Sequence, residues 1–525
     1  MSESLSKLPR NLYRAEQVRQ LDRLAIEEFN IAGIELMRKA GSVAFDCVME
    51  NWPQTRHLQI FTGSGNNAGD GFIVAGLARQ QKLSVDVVCV GDVDKLNGEA
   101  KDAYDWACGL KVSMRKYSEI DLERENEHAQ TAIIDALLGT GLDRNVEGEY
   151  KSAIDYLNSL SAPVVAIDMP SGLSADTGMS LGSTVIADLT VTFIAMKLGL
   201  LTGEGRDFVG ELVCHQLDIP EEVTTHANAP QAVAQRIDIN YAAQQLYPRQ
   251  HSSHKGNHGH VVIVGGDYGF GGAGILAAEA AQRSGAGLVS LITRPEHRQS
   301  LLTRAPEIMV LTCEENAEAI EEVLRKASAI AIGPGLGRSD WSRGLLQQVM
   351  GVQLGDKTPL VIDADALQLL AERSQLLSST RRENWILTPH PGEAGVLLNK
   401  TTAEIQSDRV ASVSELAQRW GGCCLLKGSG SLIACTKKGA DKKAGPQSIF
   451  LCTEGNAGMA SGGMGDVLTG LTTSLLAQGL DLESAICCAV CVHGEAADLA
   501  VDFEGQRGLA ASDLLPYIRQ LVNLS

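Results

Sequence analysis

The sequence predicts two consecutive α/β domains, each built around a parallel β-sheet with helices on both faces. Short β-rich runs alternate with helix-length stretches throughout the chain, which is the pattern of such sheets. A length of 525 residues is too great for one ordinary hydrophobic core, so two or more domains are expected. Hydrophobic residues (44%) and charged residues (21%) occur in the proportions of globular domains, not of disordered or membrane proteins.

The first half begins with an amphipathic helical pattern and continues as five β-rich runs. Val18, Leu21 and Leu24 recur at helical spacing near the start of the chain. Helix-length segments separate the runs, so we expect one parallel sheet. The runs cover residues 58–61, 85–90, 132–134, 164–167 and 189–193.

A polar segment without periodicity, residues 221–230, separates the two halves. We therefore place the first domain at residues 1–222, a linker at 223–238 and the second domain at 239–525. The glycine-rich motifs differ between the halves, which argues against a tandem repeat. The β-rich runs of the second domain cover residues 260–264, 288–292, 329–332, 360–362, 385–387 and 424–426.

The charge balance and the apolar pattern restrict the partners and the location of the protein. The 64 acidic residues outnumber the 45 basic ones, giving a net charge of −19, and so acidic a protein should repel nucleic acid overall. The first ten residues lack the apolar core of a signal peptide, and no run of about 18 apolar residues follows. We expect the protein to be cytoplasmic and to make no contact with a membrane. We also expect it to form a homo-oligomer and to act on small molecules.

Two features suggest metal or redox chemistry but have simpler interpretations. Cys488 and Cys491 form a C-x-x-C motif in an apolar segment without a second pair at metal-ligand spacing, which favours a buried helix. The 12 cysteines do not suggest a disulfide scaffold. Four histidines lie within residues 251–260, where the absence of helical spacing and of a nearby cysteine indicates a loop before the next strand.

A glycine-rich turn with polar side chains follows the first β-rich run. Residues 63–71 read GSGNNAGDG, and the form G-x-G-x-x-A is that of a dinucleotide-binding turn. A passive phosphate cradle does not need the polar side chains of Asn66, Asn67 and Asp70. The turn therefore predicts a site with side-chain oxygens as well as a phosphate cradle.

Further polar residues follow two other β-rich runs. Asp135 follows the run at 132–134, and Asp168 and Ser171 follow the run at 164–167. Because the carboxyl ends of parallel strands meet at one edge of a sheet, these side chains should converge with the glycine-rich turn. Carboxylate, carbonyl and hydroxyl oxygens suit a hard cation. The alternative is that the aspartates only cap helices or turns.

These motifs resemble those of the NAD(P)H-hydrate epimerase family, and the similarity covers residues 10–220. The resemblance implies a Rossmann-like, three-layer domain that interconverts the R and S epimers of hydrated NADH or NADPH with a bound potassium ion. It implies Asp168 as the acid/base group and Asn67, Asp135 and Ser171 as potassium ligands. The implied substrate-binding residues are Asn66, Asn67, Ala68, Gly69, Asp70, Gly139, Thr140, Gly141, Leu142, Asp143, Arg144, Asn145 and Asp168.

A second glycine-dense segment, residues 455–470, precedes an apolar helix near the end of the chain. Its N–H groups can hold an anion at the helix N-terminus, while Asp466 accepts the proton of a substrate hydroxyl, as phosphoryl transfer requires. Capping of the helix by Asp466 is the alternative. Lys427 and residues 428–431 supply a cation, hydroxyls and flexible backbone for a nucleotide, and a rigid turn at 388–393 holds a histidine and a glutamate.

Together with the glycine motifs at residues 271–274 and 333–337, these segments resemble the NAD(P)H-hydrate dehydratase family over residues 240–520. The resemblance implies a ribokinase-like α/β fold and dehydration of the S epimer driven by ADP or ATP, with magnesium on the nucleotide and Asp466 as the base. Bacterial two-domain members generally use ADP, which favours ADP here. The implied nucleotide-binding residues are Lys427, Gly428, Ser429, Gly430, Ser431 and Gly465, and the implied hydrate-binding residues are Ala273, Gly274, Gly337, His390 and Asp466.

The function predicted from both halves is repair of hydrated NADH and NADPH by an epimerase fused to a dehydratase. The alternative is a ribokinase-like kinase of a small vitamin-like alcohol, with a non-catalytic binding domain at its N-terminus. An NAD-dependent oxidoreductase is a third and more distant interpretation, because no separate site for a hydride acceptor is visible in the sequence.

Overall fold

The computed structural model describes residues 7–119, 130–314, 317–353, 358–374, 382–436 and 448–524. The chain divides into two compact units, Met1–Gln235 and Arg236–Ser525. The segment 223–238, which the sequence analysis treats as a linker, contains most of a short helix and a short strand.

The first unit alternates strands and helices, as the sequence predicts. Its strands are β1 (Asn11–Tyr13), β2 (His57–Thr62), β3 (Ser84–Cys89), β4 (Ser113–Lys116), β5 (Thr131–Ala136), β6 (Val164–Ile167), β7 (Leu189–Phe193), β8 (Met196–Lys197), β9 (Glu211–His215) and β10 (Ala234–Ile237). Its helices are α1 (Ala15–Glu27), α2 (Gly33–Asn51), α3 (Asn66–Gln80), α4 (Gly98–Gly109), α5 (Gly148–Leu157), α6 (Gly205–Phe208) and α7 (Glu222–Thr225).

Seven strands of this unit form one parallel sheet in the order β4-β3-β2-β5-β6-β7-β9. Neighbouring residues of a strand point to opposite faces of the sheet and join different hydrophobic cores. Ile60 packs with α2, α3 and α4 on one face, whereas Phe61 packs with α5 on the other. Buried side chains on both faces explain the nearly continuous apolar runs in these strands. The observed arrangement confirms the predicted three-layer α/β fold.

The second unit continues the alternation. Its strands are β11 (His260–Val264), β12 (Leu288–Ile292), β13 (Met309–Leu311), β14 (Ala329–Ile332), β15 (Leu360–Ile362), β16 (Trp385–Leu387), β17 (Cys423–Leu426), β18 (Ser431–Cys435) and β19 (Ser448–Cys452). Its helices are α8 (Ile239–Gln245), α9 (Gly271–Arg283), α10 (Arg298–Arg304), α11 (Ala317–Lys326), α12 (Asp340–Gln353), α13 (Ala364–Ser374), α14 (Pro391–Leu398), α15 (Thr402–Ser407), α16 (Arg409–Trp420), α17 (Met464–Ala477), α18 (Leu482–Glu504) and α19 (Leu514–Leu521).

The second sheet has the order β13-β12-β11-β14-β15-β16-β17-β18-β19. The strands are parallel as far as β17, and β18 and β19 then add in antiparallel orientation. The prediction of a parallel sheet therefore holds for its larger part, and the antiparallel pair is an addition. Helices α9, α17 and α18 share one hydrophobic core with residues of β11 such as Val261 and Ile263.

Cysteines of the second unit occupy two different settings. Cys423 and Cys435 lie directly opposite each other on β17 and β18 and form a disulfide, which the sequence analysis did not anticipate. Cys488 and Cys491 are free and buried in α18, as predicted. Among the described residues, the segment Leu482–Asp502 is long and apolar enough to cross a membrane, and 72% of its most apolar window is buried in the protein, as in a core helix.

Candidate active sites

A cavity of about 520 Å³ lies at the carboxyl ends of β2, β5 and β6 in the first unit. It is the place where ligands bind in open α/β sheets. Most of the predicted substrate-binding residues line it: Asn66, Asn67, Asp70, Gly139, Thr140, Gly141, Leu142, Asp143, Arg144 and Asp168.

Three predicted residues do not line this cavity. Ala68 is fully buried in the core beneath α3. Gly69 packs against α2 and α4, where an added Cβ would lie 2.6 Å from Met37 and 3.0 Å from Ala100. Asn145 is exposed beyond the end of the lining loop. The helical turn presents residues 66, 67 and 70 to the cavity and the intervening residues to the core, because neighbouring positions of a helix point in different directions.

Two glycines of the glycine-rich turn have different surroundings. A Cβ at Gly63 would lie 2.0 Å from the carbonyl oxygen of Leu137, so no side chain fits there. A Cβ at Gly65, the residue before α3, would meet no atom within 4 Å, because this backbone faces the open cavity. The N-terminus of α3 carries a partial positive charge and is therefore a suitable position for a phosphate group.

A buried ion pair fixes the orientation of Asp168. The Lys197 side chain is only 1% exposed, and its ammonium group donates to Asp168 Oδ1, to Thr192 Oγ1 at 2.9 Å and to the Phe193 carbonyl at 2.8 Å. Thr192 also donates to Asp168 Oδ1, at 3.3 Å. Asp168 itself has a left-handed backbone, with a φ of 66°. The carboxylate is thus held at the cavity with its charge compensated from beneath.

Behind the cavity wall, Asp135 and Ser171 form a fully buried cluster. Asp135 accepts hydrogen bonds from Ser171 Oγ at 2.6 Å, from the Ser171 N–H at 2.8 Å and from the Leu137 N–H at 3.2 Å. Burial raises the pKa of Asp135 to about 6 against the opposing effect of these bonds.

Asn67 is the third member of the predicted potassium site. Its amide is buried, and neither Oδ1 nor Nδ2 has a hydrogen-bond partner among the described residues. A buried amide without a partner is costly, and a cation would satisfy the oxygen. Amide, carboxylate and hydroxyl oxygens are the donors that hard cations prefer, so the residues present fit the ion implied by the resemblance.

Other charged residues of this cavity were not predicted. Arg19 and Asp22 come from α1, Glu99 comes from α4, and Lys197 follows β7. The first three lie on amphipathic helices, where surface charges are ordinary, so the sequence gives no signal for them. Lys197 did have a signal: it is a single cation in an otherwise apolar run, and a lysine buried in such a run needs a partner.

Acidic neighbours raise the proton affinity of the cavity. The pKa of Asp70 is raised well above its usual value by burial and by the nearby negative charges of Asp168 and Asp22. The pKa of Asp22 is raised mainly by burial and also by the negative charges of Asp168 and Glu99, while the charge of Lys197 opposes the shift. The cavity therefore contains a carboxyl group paired with lysine beside carboxyl groups whose pKa values are raised, and acid/base chemistry uses pairs of groups with different environments.

The second site is centred on Asp466 in the first turn of α17. The preceding Gly463 has a φ of 91°, a conformation that favours glycine. Burial raises the pKa of Asp466 to about 7, with the negative charges of Asp363 and Asp365 adding to the shift and Lys427 opposing it. An aspartate with this pKa is suited to accept a proton near neutral pH.

Lys427 connects several acidic groups around Asp466. Its ammonium group donates to Asp363 Oδ1 at 2.8 Å and lies 3.9 Å from Glu393 Oε2. Asp363 also accepts from Thr469 Oγ1 at 2.7 Å, one turn after Asp466. Burial alone would raise the pKa of Asp363, but the charge of Lys427 and these hydrogen bonds outweigh it and lower the pKa. The amine is therefore held within one network of charges.

The predicted nucleotide loop is held from below by Arg409. This buried guanidinium donates to the carbonyls of Leu426, Lys427 and Gly430 at 3.3–3.4 Å. Burial lowers the pKa of Arg409 to about 10, so the residue stays charged at neutral pH. A Cβ at Gly465 would lie 3.4 Å from Lys427 Nζ, which places the loop next to the N-terminus of α17, as predicted. Gly428 and Ser429 are exposed, and Ser431 Oγ donates to Gly428.

The predicted hydrate-binding residues have mixed exposure. His390 is exposed, and its Nδ1 caps α14 by accepting from the N–H groups of Gly392 and Glu393. Gly337 donates its N–H to Asp365 at 2.9 Å, which connects it to the neighbourhood of Asp466. Ala273 is half-buried, whereas Gly274 is buried against β12.

Several residues that surround Asp466 and Lys427 were not predicted from the sequence. They are Asp363, Asp365, Arg409 and Thr469. Asp363 follows strand β15 in the same way that Asp135 and Asp168 follow their strands, so the rule used in the first domain would have found it. Arg409 lies in an ordinary helical pattern, and it comes next to the nucleotide loop at residues 427–431 only when the chain folds.

The comparisons with known proteins identify a family for each half of the chain. Residues 33–199 match the family described as YjeF-related protein N-terminus, and residues 261–520 match the family described as NAD(P)H-hydrate dehydratase. The bifunctional NAD(P)H-hydrate repair enzyme Nnr of Coxiella burnetii is 41% identical over 98% of this chain and 99% of its own length. The enzyme of the same name from Escherichia coli is 39% identical over 100% of this chain and 96% of its own length.

Among solved structures, the ADP/ATP-dependent NAD(P)H-hydrate dehydratase of Bacillus subtilis, co-crystallised with ATP and magnesium, is 27% identical. The match covers 54% of this chain and 95% of that chain, with a TM-score of 0.45. The fold and the two sites define a two-domain α/β enzyme with separate acid/base and phosphoryl-transfer chemistry. The chain belongs to the family of bifunctional NAD(P)H-hydrate repair enzymes, which confirms the predicted enzyme class and repair function.

We predict that Arg409→Lys weakens nucleotide binding and destabilises the second unit. Lysine keeps the charge but cannot reach three carbonyls with one planar group, so the loss should be about 2 kcal/mol. Urea unfolding followed by tryptophan fluorescence and the KM for ADP measure the two effects. Arg419→Lys, on the exposed side of the same helix, is the matched control and should change neither. Equal behaviour of the two variants would contradict the role given to Arg409.

Proposed function

We propose that the cavity of the first unit epimerises hydrated NADH and NADPH, and that the Asp466 site dehydrates the S epimer with ADP or ATP. The observation that carries the first half is the Asp168–Lys197 pair at the wall of the dinucleotide cavity. The observation that carries the second half is the half-buried Asp466 in the first turn of α17, where the adjacent Gly465 lies against Lys427.

In the epimerase site, the reaction inverts the carbon that bears the added hydroxyl group. As Asp168 accepts the proton of this hydroxyl group, the bond between the carbon and the ring nitrogen breaks and leaves an aldehyde. The bond then re-forms on the opposite face of the carbon, and Asp168 returns the proton to the oxygen while Lys197 compensates its charge. Asp70, whose pKa is raised by burial and by the neighbouring negative charges, lines the same cavity and gives the proton that the ring nitrogen takes up, receiving it back when the ring closes. Gly65 and the N-terminus of α3 hold the phosphates of the dinucleotide. The cavity volume of about 520 Å³ lies in the usual range for small-molecule and cofactor sites.

Potassium is part of the proposal for this site. Asn67, Asp135 and Ser171 would hold the ion, and the support is the buried Asn67 amide without a partner. When bound, potassium supplies positive charge and fixes the residues at the start of α3. The chain's own residues then keep the glycine-rich turn in position against the dinucleotide.

In the dehydratase site, Asp466 removes the proton from the C6 hydroxyl group of the hydrate. The oxygen then forms a bond to the terminal phosphorus of ADP or ATP as the bond to the leaving nucleotide oxygen breaks. Phosphate subsequently leaves from C6, and loss of a ring proton restores the double bond of the reduced nicotinamide. Lys427 and the N–H groups at the start of α17 stabilise the phosphoryl charge, and magnesium accompanies the nucleotide.

We also propose that the protein is cytoplasmic. The support is chemical: the described residues include ten free cysteines, of which six are buried, and a reducing compartment preserves such thiols. The disulfide between Cys423 and Cys435 is buried between two strands, where reductants have little access.

For the epimerase, we predict that Lys197→Met lowers the rate of R-to-S conversion by about 100-fold, the scale of a lost acid/base group. Methionine matches the length of lysine but leaves Asp168 without its charged partner. The rate above the spontaneous rate is measured chromatographically. Lys151→Met removes an exposed lysine paired with Asp155 and should retain the full rate. A fully active Lys197→Met enzyme would remove the pair from the mechanism.

For the potassium site, we predict that potassium chloride raises the thermal unfolding midpoint of the chain relative to choline chloride at equal ionic strength. A cation that binds only the folded state must stabilise it. Asn67→Leu should abolish this difference. Asn66→Leu, at the exposed neighbouring position, should preserve it. An equal shift of the unfolding midpoint by potassium in the unmodified chain, Asn67→Leu and Asn66→Leu would exclude Asn67 as a ligand. This measurement does not depend on enzyme activity.

For the dehydratase, we predict that kcat/KM rises with pH through an inflection at about 7. The pKa of Asp466 is raised to about 7, so the carboxyl group is mostly protonated and inactive as a base at pH 6, and ionised at pH 8. Asp466→Asn should abolish activity. Asp365→Asn should move the inflection to lower pH, because it removes a negative charge that raises this pKa. Asp340→Asn, a substitution at an exposed position, should leave the inflection at about pH 7. An inflection that does not move in Asp365→Asn would contradict its assignment to Asp466.

A further inference from the structure

A cluster of two thiols and one carboxylate lies where β19 meets α18, and the proposed reactions do not use it. Cys452 Sγ is 3.2 Å from Glu454 Oε2 and 3.9 Å from Cys491 Sγ. All three ligand atoms lie within 4.8 Å of one another. Both cysteines are almost completely buried, so the cluster is enclosed by the protein.

These separations are close to those of a metal centre. With zinc–sulfur bonds of about 2.3 Å and zinc–oxygen bonds of about 2.0–2.2 Å, a tetrahedral site places two sulfurs about 3.8 Å apart and sulfur and oxygen about 3.5 Å apart. The observed distances of 3.9 Å and 3.2 Å differ from these by a few tenths of an ångström. The separation between Cys491 Sγ and the Glu454 carboxylate is at most 4.8 Å, so side-chain movements of about 1 Å or less are enough to bring all three ligands to tetrahedral spacing.

The surroundings also orient the carboxylate. The Ile239 N–H donates to Glu454 Oε1 at 3.0 Å, which leaves Oε2 directed to Cys452. A partner of this kind commonly holds a metal ligand in position. The nearby Arg236 and Asp238 form a buried ion pair at 3.2 Å, so the two charges largely compensate each other.

The alternative is a cluster of hydrogen-bonded thiols without an ion. Without an ion, the three groups keep their protons, because several negative charges buried together are costly. Burial accordingly raises the pKa of Glu454 to about 7. The choice of ligands still favours an ion. Two thiolates and a carboxylate are a donor set for a divalent cation with affinity for sulfur, and not for magnesium or potassium.

We propose that Cys452, Glu454 and Cys491 bind a zinc-like divalent cation, with water in the fourth position. On binding, the two S–H bonds break, two metal–sulfur bonds form and the two thiol protons pass to solvent. A carboxyl proton on Glu454 is released in the same way, and one carboxylate oxygen completes the protein ligands. The site is structural and independent of the proposed function. It would join β19 to α18 just before the glycine-dense segment, where Gly455 and Asn456 already donate to Asp498, each at 2.8 Å.

The test is titration of the reduced, metal-free full chain with Co²⁺. We expect a near-ultraviolet thiolate-to-cobalt absorption band that saturates at an equimolar ratio and disappears when Zn²⁺ is added. Cys491→Ser and Glu454→Gln should each weaken the affinity by about 100-fold or more, since one protein ligand is lost. Cys488→Ser, at a buried position on the same helix, is the matched control and should bind like the unmodified chain.

Two results would overturn the proposal. One is the absence of a thiolate-to-cobalt band in the unmodified chain. Cobalt that binds without this band, through histidines alone, counts as the same negative result. The other is an unchanged band and affinity in Glu454→Gln and Cys491→Ser. Circular dichroism checks the folding of each variant. If Cys491→Ser does not fold, the nearly isosteric Glu454→Gln variant decides the question.

Discussion

A charge removed from water must have a partner, and two lysine–aspartate pairs meet this requirement at the two sites. Lys197 is almost completely buried and pairs with Asp168, while Lys427 pairs with the buried Asp363. Loss of one partner would leave the other charge uncompensated, at a cost of several kcal/mol. Each pair therefore restricts the positions of its strand ends as well as its own side chains.

The two pairs serve their sites differently. Lys197 lies beneath Asp168 and faces away from solvent, so it orients a carboxylate that itself faces the substrate cavity. Lys427 is more exposed, with 21% of its side chain accessible, and lies beside the N-terminus of α17. It is thus available to a phosphate group while Asp363 holds it in place. The same ion-pair chemistry orients an acid/base group in one unit and an anion-binding cation in the other.

Much of this architecture follows from local sequence. The strands buried on both faces produce apolar runs, and polar residues directly after such runs, as at Asp135 and Asp168, mark the active edge of the sheet. The residues that were missed depend on distant chain segments: Arg409 supports a loop from another helix, and Asp22 reaches the cavity from α1. Ala68 was included for another reason: the motif was treated as a unit, although the 3.6-residue period of a helix directs residues 66, 67 and 70 to the cavity and residues 68 and 69 to the core.

The left-handed backbone of Asp168 restricts which substitutions can be interpreted. Asparagine adopts this conformation more readily than most residues, whereas alanine adds backbone strain of about 1 kcal/mol or more. Alanine at this position would change the backbone and the charge together, and an inactive enzyme would have two explanations. Asparagine keeps the shape and removes only the charge. Few amino acids are therefore acceptable at position 168 for conformational reasons alone, before any requirement of catalysis is considered.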